Sequence, residues 1–176
     1  MSNDMKRLPA PIYANAICFA VCIAICAAVN FLLNGNIRMA LLPHKITMEY
    51  LFDMEFKYVD NLGYEQTDGL FAITRNCMGV KLFISLFLIA AAGFLRKSPS
   101  IPGKAAAIVK SFLLAVIAAI PITLARIAAS VPFCAWDRFY LFHNVFSLLI
   151  YFVPGLALFY FMEKKDEKNK RILKAN

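Results

Sequence analysis

Four long apolar runs set the terms on which this chain can fold. They cover approximately residues 12–33, 78–95, 105–129 and 145–162 of a 176-residue sequence, and a helix needs about 20 residues to cross about 30 Å of hydrocarbon. Inside a bilayer every backbone N–H and C=O must be satisfied within the chain, so such runs become helices. The 61% hydrophobic content exceeds the roughly 45–50% of soluble domains. The expected fold is an all-α membrane protein, one domain built as a four-helix transmembrane bundle. The first run reads as a retained helix: it is longer than the roughly 7–15 residues of a signal-peptide apolar region and lacks a clear small-residue cleavage site.

Charge then orients the bundle. If four helices alternate, Lys6, Arg7, Arg96, Lys97, Lys104 and the tail cations Lys164, Lys165, Lys168, Lys170, Arg171 and Lys174 share one side. The other side holds Arg38, Lys45, Lys57, Arg75 and Arg138, diluted by Glu49, Asp53, Glu55, Asp60, Glu65, Asp68 and Asp137. The positive-inside rule makes both termini cytoplasmic, in the cell membrane. The net charge of +8 is thus a topology signal first and a sign of anionic lipid contact second, with no call for nucleic acid.

Between the first two runs, the outer loop at 34–76 is too long for a plain connector and should carry structure of its own. Asn34-Gly35-Asn36 closes the first helix. Residues 53–58 alternate polar and apolar, as a half-buried strand does, and 70–74 read as a second strand leading into Cys77. With turn residues around Asn61-Leu62-Gly63 and Asp68-Gly69 between them, a small β-hairpin or interfacial lid is expected, placed to cover Cys77. On the inner side, 96–104 form a short turn with two prolines and a glycine. Pro121 should kink the third helix one turn before Arg126. Residues 130–142, with Pro132, Trp136, Arg138, Phe139 and Tyr140, read as an aromatic interfacial loop, and 163–176 as a solvated basic cytoplasmic tail.

Candidate chemistry lies at the outer surface. Cys77, in Arg75-Asn76-Cys77-Met78-Gly79, is expected in the first turn of the second helix, where unpaired N–H groups and the helix dipole favour thiolate. Arg126 lies about 31 Å along the third helix, near the outer edge of the core; alone it reads equally as an arginine snorkelling into headgroups. His143 starts the last helix, where the dipole keeps an imidazole neutral and basic. Together these three side chains make an acyl-transfer set: Cys77 attacks a carbonyl, His143 manages the proton and Arg126 stabilises the oxyanion. Lys81, one turn from Cys77, should face the bundle or a wet cavity. Cys18, Cys22 and Cys26 form a stripe of small residues suited to helix contact, without the histidine or carboxylate a metal site would want. No cofactor or metal is expected. A Cys77–Cys134 disulfide is the geometric rival to a free nucleophile.

These residues carry a resemblance. Asn76-Cys77-Met78-Gly79, Leu124-Ala125-Arg126-Ile127 and Phe142-His143-Asn144 are similar to motifs of the exosortases and archaeosortases, in particular the short exosortase K branch, over most of 77–161. The resemblance implies a polytopic membrane cysteine transpeptidase with Cys77, Arg126 and His143 as catalytic residues. Asn76, Lys81, Thr123 and Asn144 are the supporting candidates. Two departures stand out: Met78 replaces the serine or alanine that often follows the cysteine, and Thr123 replaces an asparagine common three residues before the arginine. The implied partner is a membrane-anchored protein with a C-terminal sorting signal, made of a short motif, a transmembrane helix and a basic cluster. It would be cleaved outside the membrane and passed from a thioester on Cys77 to an amine-bearing acceptor or to water.

Two other classes fit a four-helix membrane protein. A thiol-disulfide oxidoreductase usually needs a close pair such as Cys-x-x-Cys, which this sequence does not contain. A non-enzymatic assembly or transport subunit would line a path with polar residues, and only Lys81, Lys110 and Arg126 offer themselves.

Overall fold

A computed structural model of the chain describes residues 10–134 and 139–175. The elements run α1 (Ala10–Gly35), α2 (Ile37–Phe52), β1 (Phe56–Val59), β2 (Gly63–Gln66), β3 (Ala72–Thr74), a 3₁₀ turn at Arg75–Met78, α3 (Val80–Lys97), α4 (Ile101–Ser130), a second 3₁₀ turn at Val131–Phe133, and α5 (Phe139–Ala175). Four stretches, Tyr13–Gly35, Arg75–Lys97, Ile101–Phe133 and His143–Phe161, are long and apolar enough to cross a membrane. The chain is thus an all-α bundle of the multi-pass membrane type with one small sheet.

Helix α3 is the centre, packing against α1, α4 and α5. It buries Leu82, Phe83, Leu86, Phe87, Ala90, Ala91 and Leu95. Opposite this bulky face, α4 supplies Ala107, Ser111, Ala115, Ala119 and Thr123, one small residue every turn. Lipid tails are as apolar as leucine, so helices in a bilayer associate through close packing, and small residues let the backbones approach. Phe83 and Phe87 stack at 5.9 Å, and Phe112 of α4 meets them edge-on at 5.4 and 6.0 Å. The Ser111 hydroxyl donates to the Ala107 carbonyl at 2.7 Å, so the seam hides a satisfied polar group. Cys22 and Cys26 of α1 enter the same core and Cys18 packs against it.

The segment before α3 holds more than a hairpin. Its first 16 helical residues form α2, separated from α1 by Asn36 alone. Helix α2 tolerates Pro43 within it, and the Thr47 hydroxyl donates to the Pro43 carbonyl at 2.8 Å. Asp53, left-handed at φ 53°, ends it. The sheet that follows has three antiparallel strands in the order β1-β2-β3, with Tyr58 opposite Tyr64 and Tyr64 opposite Ile73. The extra strand, β2, begins where the sequence suggested only turn residues. Leu41, His44 and Met48 are the buried stripe of α2, and Leu41 and Met48 join Phe56, Tyr64, Ile73, Cys77 and Ile127 in a second core at this end of the bundle.

Other boundaries move as well. The turn expected over 96–104 shrinks to 98–100, because α4 begins at Ile101 with the Ser100 hydroxyl accepting from the Gly103 N–H at 3.3 Å. Lys104 therefore lies inside α4, where it is buried and donates to the Asn15 side chain of α1. Helix α4 runs through Pro121 without ending. The backbone of α5 stays helical to Ala175, so the tail extends this helix. Of the aromatic loop expected over 130–142, Trp136 and Arg138 lie outside the described residues, as do Lys6 and Arg7.

Candidate functional site

Cys77 stands in the 3₁₀ turn Arg75–Met78, ahead of α3 rather than in its first turn. The dipole acts mainly within a helix's own terminal turn, so it is a weaker ground for activating this thiol than the sequence suggested. Gly79 explains the placement. It caps α3 at φ +70°, and a Cβ there would lie 2.2 Å from Thr123 Oγ1. Only glycine accepts both that angle and that approach, which lets the turn lie directly on α4. Thr123 is thus a packing partner of the Cys77 turn, and its buried hydroxyl has no hydrogen-bond partner among the described residues. Cys77 is 5% exposed and, like Cys134, a free thiol.

Arg126 is 2% exposed. Its guanidinium turns into the bundle, so the snorkelling geometry is not the one adopted. Nη1 donates to the Tyr151 hydroxyl at 2.6 Å and to Ser147 Oγ at 3.3 Å, and Nη2 donates to the Asn76 carbonyl at 3.2 Å. The Tyr151 ring lies 5.2 Å from the guanidinium carbon. One side chain of α4 thereby ties α5 to the peptide just before Cys77. Among the described residues no carboxylate pairs with this cation, and its Nε has no acceptor. Burying an ion costs several kcal/mol. A cation held at that cost beside a thiol is a ready site for developing negative charge.

His143 is corrected in position too: α5 begins at Phe139, so His143 lies beyond the first turn, where the dipole fades. Ser130 defines its chemistry. The single hydroxyl proton of Ser130 is given to the Arg126 carbonyl at 2.9 Å, and Oγ lies 3.3 Å from His143 Nδ1. In the tautomer whose Nδ1–H donates to Ser130, the basic lone pair is on Nε2.

These groups meet on one cavity of about 710 Å³, lined by Cys77, Arg126 and His143. Asn76, Lys81 and Asn144 also line it, whereas Thr123 does not. Leu70, Phe71, Ala72 and Thr74 supply a wall from the β3 segment, and Asn30 and Asn34 another from α1. Among the described residues, three cations, Arg75, Lys81 and Arg126, and no carboxylate line the space. A thiol, an imidazole and a buried guanidinium around one void can bind a carbonyl compound, form a thioester and stabilise the oxyanion between. Among the described residues no group of three histidine, cysteine or acidic side chains could hold a metal ion.

Sequence reasoning missed Tyr151, Ser147 and Ser130, which look like ordinary helix residues until α4 and α5 are packed. It also missed His44. This residue is 5% exposed, and neither ring nitrogen has a hydrogen-bond partner among the described residues. Burial first, and the nearby Arg126 charge second, push its pKa down from 6.5 to about 4. Compared with protein-family models, curated proteins and solved structures, the chain matches none of them.

Proposed function

We propose that this chain is a membrane-embedded cysteine peptidase or transpeptidase of the exosortase kind, acting on exported proteins that carry a C-terminal sorting signal. The observation that carries the reading is the meeting of Cys77, Arg126 and His143, from three separate elements, on one cavity in which Arg126 is buried with no counter-ion among the described residues. Cys77 Sγ, losing its proton to His143 Nε2, attacks the scissile carbonyl carbon. The C=O electron pair moves onto oxygen, facing the Arg126 guanidinium. Collapse of this intermediate breaks the C–N bond, and His143 returns the proton to the departing amine. A thioester remains on Cys77. An amine or water then attacks it, giving the transferred or released product and restoring the thiol. The positive-inside rule puts this site on the extracytoplasmic face, with both termini inside.

The test is to trap the intermediate. Membranes carrying the protein should yield a hydroxylamine-labile polypeptide adduct on Cys77, detected by mass spectrometry. Cys77→Ala should abolish the adduct, with processing down at least about 10³-fold while the protein stays inserted. Unchanged C-termini of exported proteins in cells whose only copy is Cys77→Ala would end this reading. A membrane-impermeant maleimide should label Cys77 in intact cells; labelling only after permeabilisation would reverse the orientation.

A further inference from the structure

His44 is a buried histidine that the proposed reaction does not use. It sits on the inward face of α2, between Leu41 and Met48. Those two neighbours share their apolar cluster with Cys77 and with Ile127, the residue after Arg126. Helix α2 packs against both the Cys77 turn and α4. Among the described residues, the ring nitrogens of His44 and Nε of Arg126 are buried without hydrogen-bond partners, and the Arg126 charge acts on the His44 ring, which also feels the Ala40 backbone. Each costs free energy while unpaired. Their chemistry is complementary, because the guanidinium Nε–H can only donate and a neutral imidazole offers one bare accepting nitrogen.

We propose that His44 is a positioning residue for Arg126: its bare ring nitrogen accepts from Arg126 Nε–H, directly or across one buried water, and holds the guanidinium plane with its Nη groups toward the cavity. Nη1 and Nη2 are already tied to Tyr151, Ser147 and Asn76. A fork held only at its tips can still tilt about them. A contact at Nε fixes the third point and so the plane. The imidazole must be neutral to accept, and its burial beside the Arg126 charge keeps it so. Terminal torsions of histidine are broad, so a rotation of the ring can close the contact. The proposal also gives α2 a purpose, to bring an acceptor to a cation that has no carboxylate partner among the described residues.

This inference deepens the reading of the site above, but its test uses no substrate, so the two can fail separately. Protein with ¹⁵N-labelled arginine and histidine, purified in micelles, should show an Arg126 Nε–H that exchanges slowly with water and a His44 bare nitrogen shifted away from that of free imidazole. His44→Phe keeps the bulk and loses the acceptor. It should speed Nε–H exchange by about tenfold or more, and should also lower the preference of Cys77 for iodoacetate over iodoacetamide, since an aimed guanidinium draws the anionic reagent. His44→Gln restores a neutral acceptor and should recover both signals. Unchanged Nε–H exchange in His44→Phe overturns the proposal. Should that variant fail to fold, a wild-type His44 nitrogen at the free-imidazole shift overturns it instead.

Discussion

The two cores of this protein are built on opposite principles. Along the α3–α4 seam, bulky Phe83 and Phe87 face Ala107, Ser111, Ala115 and Ala119, and the buried Ser111 hydroxyl is satisfied within its own helix turn. At the other end, around the Cys77 turn, the buried set includes an arginine without a carboxylate partner among the described residues, a histidine and a threonine hydroxyl without hydrogen bonds. Close packing gives the seam its stability. The cavity end gives some of that stability up, because buried polar groups without partners cost free energy. The seam can therefore act as the rigid base for the Cys77 turn ahead of α3 and for Arg126 on α4.

That contrast can be broken from either side. Phe87→Ala, in the middle of the seam, should cost about 3–5 kcal/mol of stability, read as a fall in the unfolding midpoint of the purified protein. The Cys77 alkylation rate in the protein that remains folded should change little. A change in Cys77 reactivity as large as that in stability would show that the two regions are not separable.

Acid should strike the cavity end selectively. The folded-state pKa of His44 is depressed from 6.5 to about 4, so below pH 6.5 the unfolded chain binds the proton more readily. The contribution of His44 to stability is complete above pH 6.5 and is lost as pH falls toward 4, by about 3 kcal/mol in all. Midpoints measured from pH 7 to pH 4 should fall for wild type and fall less for His44→Phe. Parallel curves for the two proteins would remove His44 as the cause.

The smallest effect tests the fork of Arg126. Arg126→Lys keeps the charge but cannot reach Tyr151, Ser147 and the Asn76 carbonyl together. Adduct formation on Cys77 should fall by roughly 10²-fold, the order of one lost oxyanion donor, with insertion and midpoint close to wild type. Wild-type rates would reduce Arg126 to a simple positive charge, and would sharpen the contrast by leaving only the thiol and imidazole as demanding positions.

Much of the bundle was legible because its signal is one of length and composition. Runs at 12–33, 78–95, 105–129 and 145–162 lie within α1, the Cys77 turn with α3, α4 and α5. The segment at 37–52 was not read as a helix. Pro43 interrupts its pattern, and its buried face is three residues, Leu41, His44 and Met48, too sparse a stripe to stand out. Strand β2 was hidden by Gly63, which suggests a turn when read alone.

The sequence by itself determined which residue types the site could use and near which end of each apolar run they stand, because a polar side chain in such a run is conspicuous. Tertiary structure decided everything that depends on a neighbour. It moved Cys77 out of the helix and set it against Thr123 through Gly79, and it turned Arg126 from the lipid surface into the bundle. It also brought Tyr151 and Ser147 to Arg126 and Ser130 to His143, pairs 13 or more residues apart. Periodicity along one helix reports which face is apolar. It holds no record of which other helix that face will meet, and this cavity forms where α1, the Cys77 turn, α3, α4 and α5 meet.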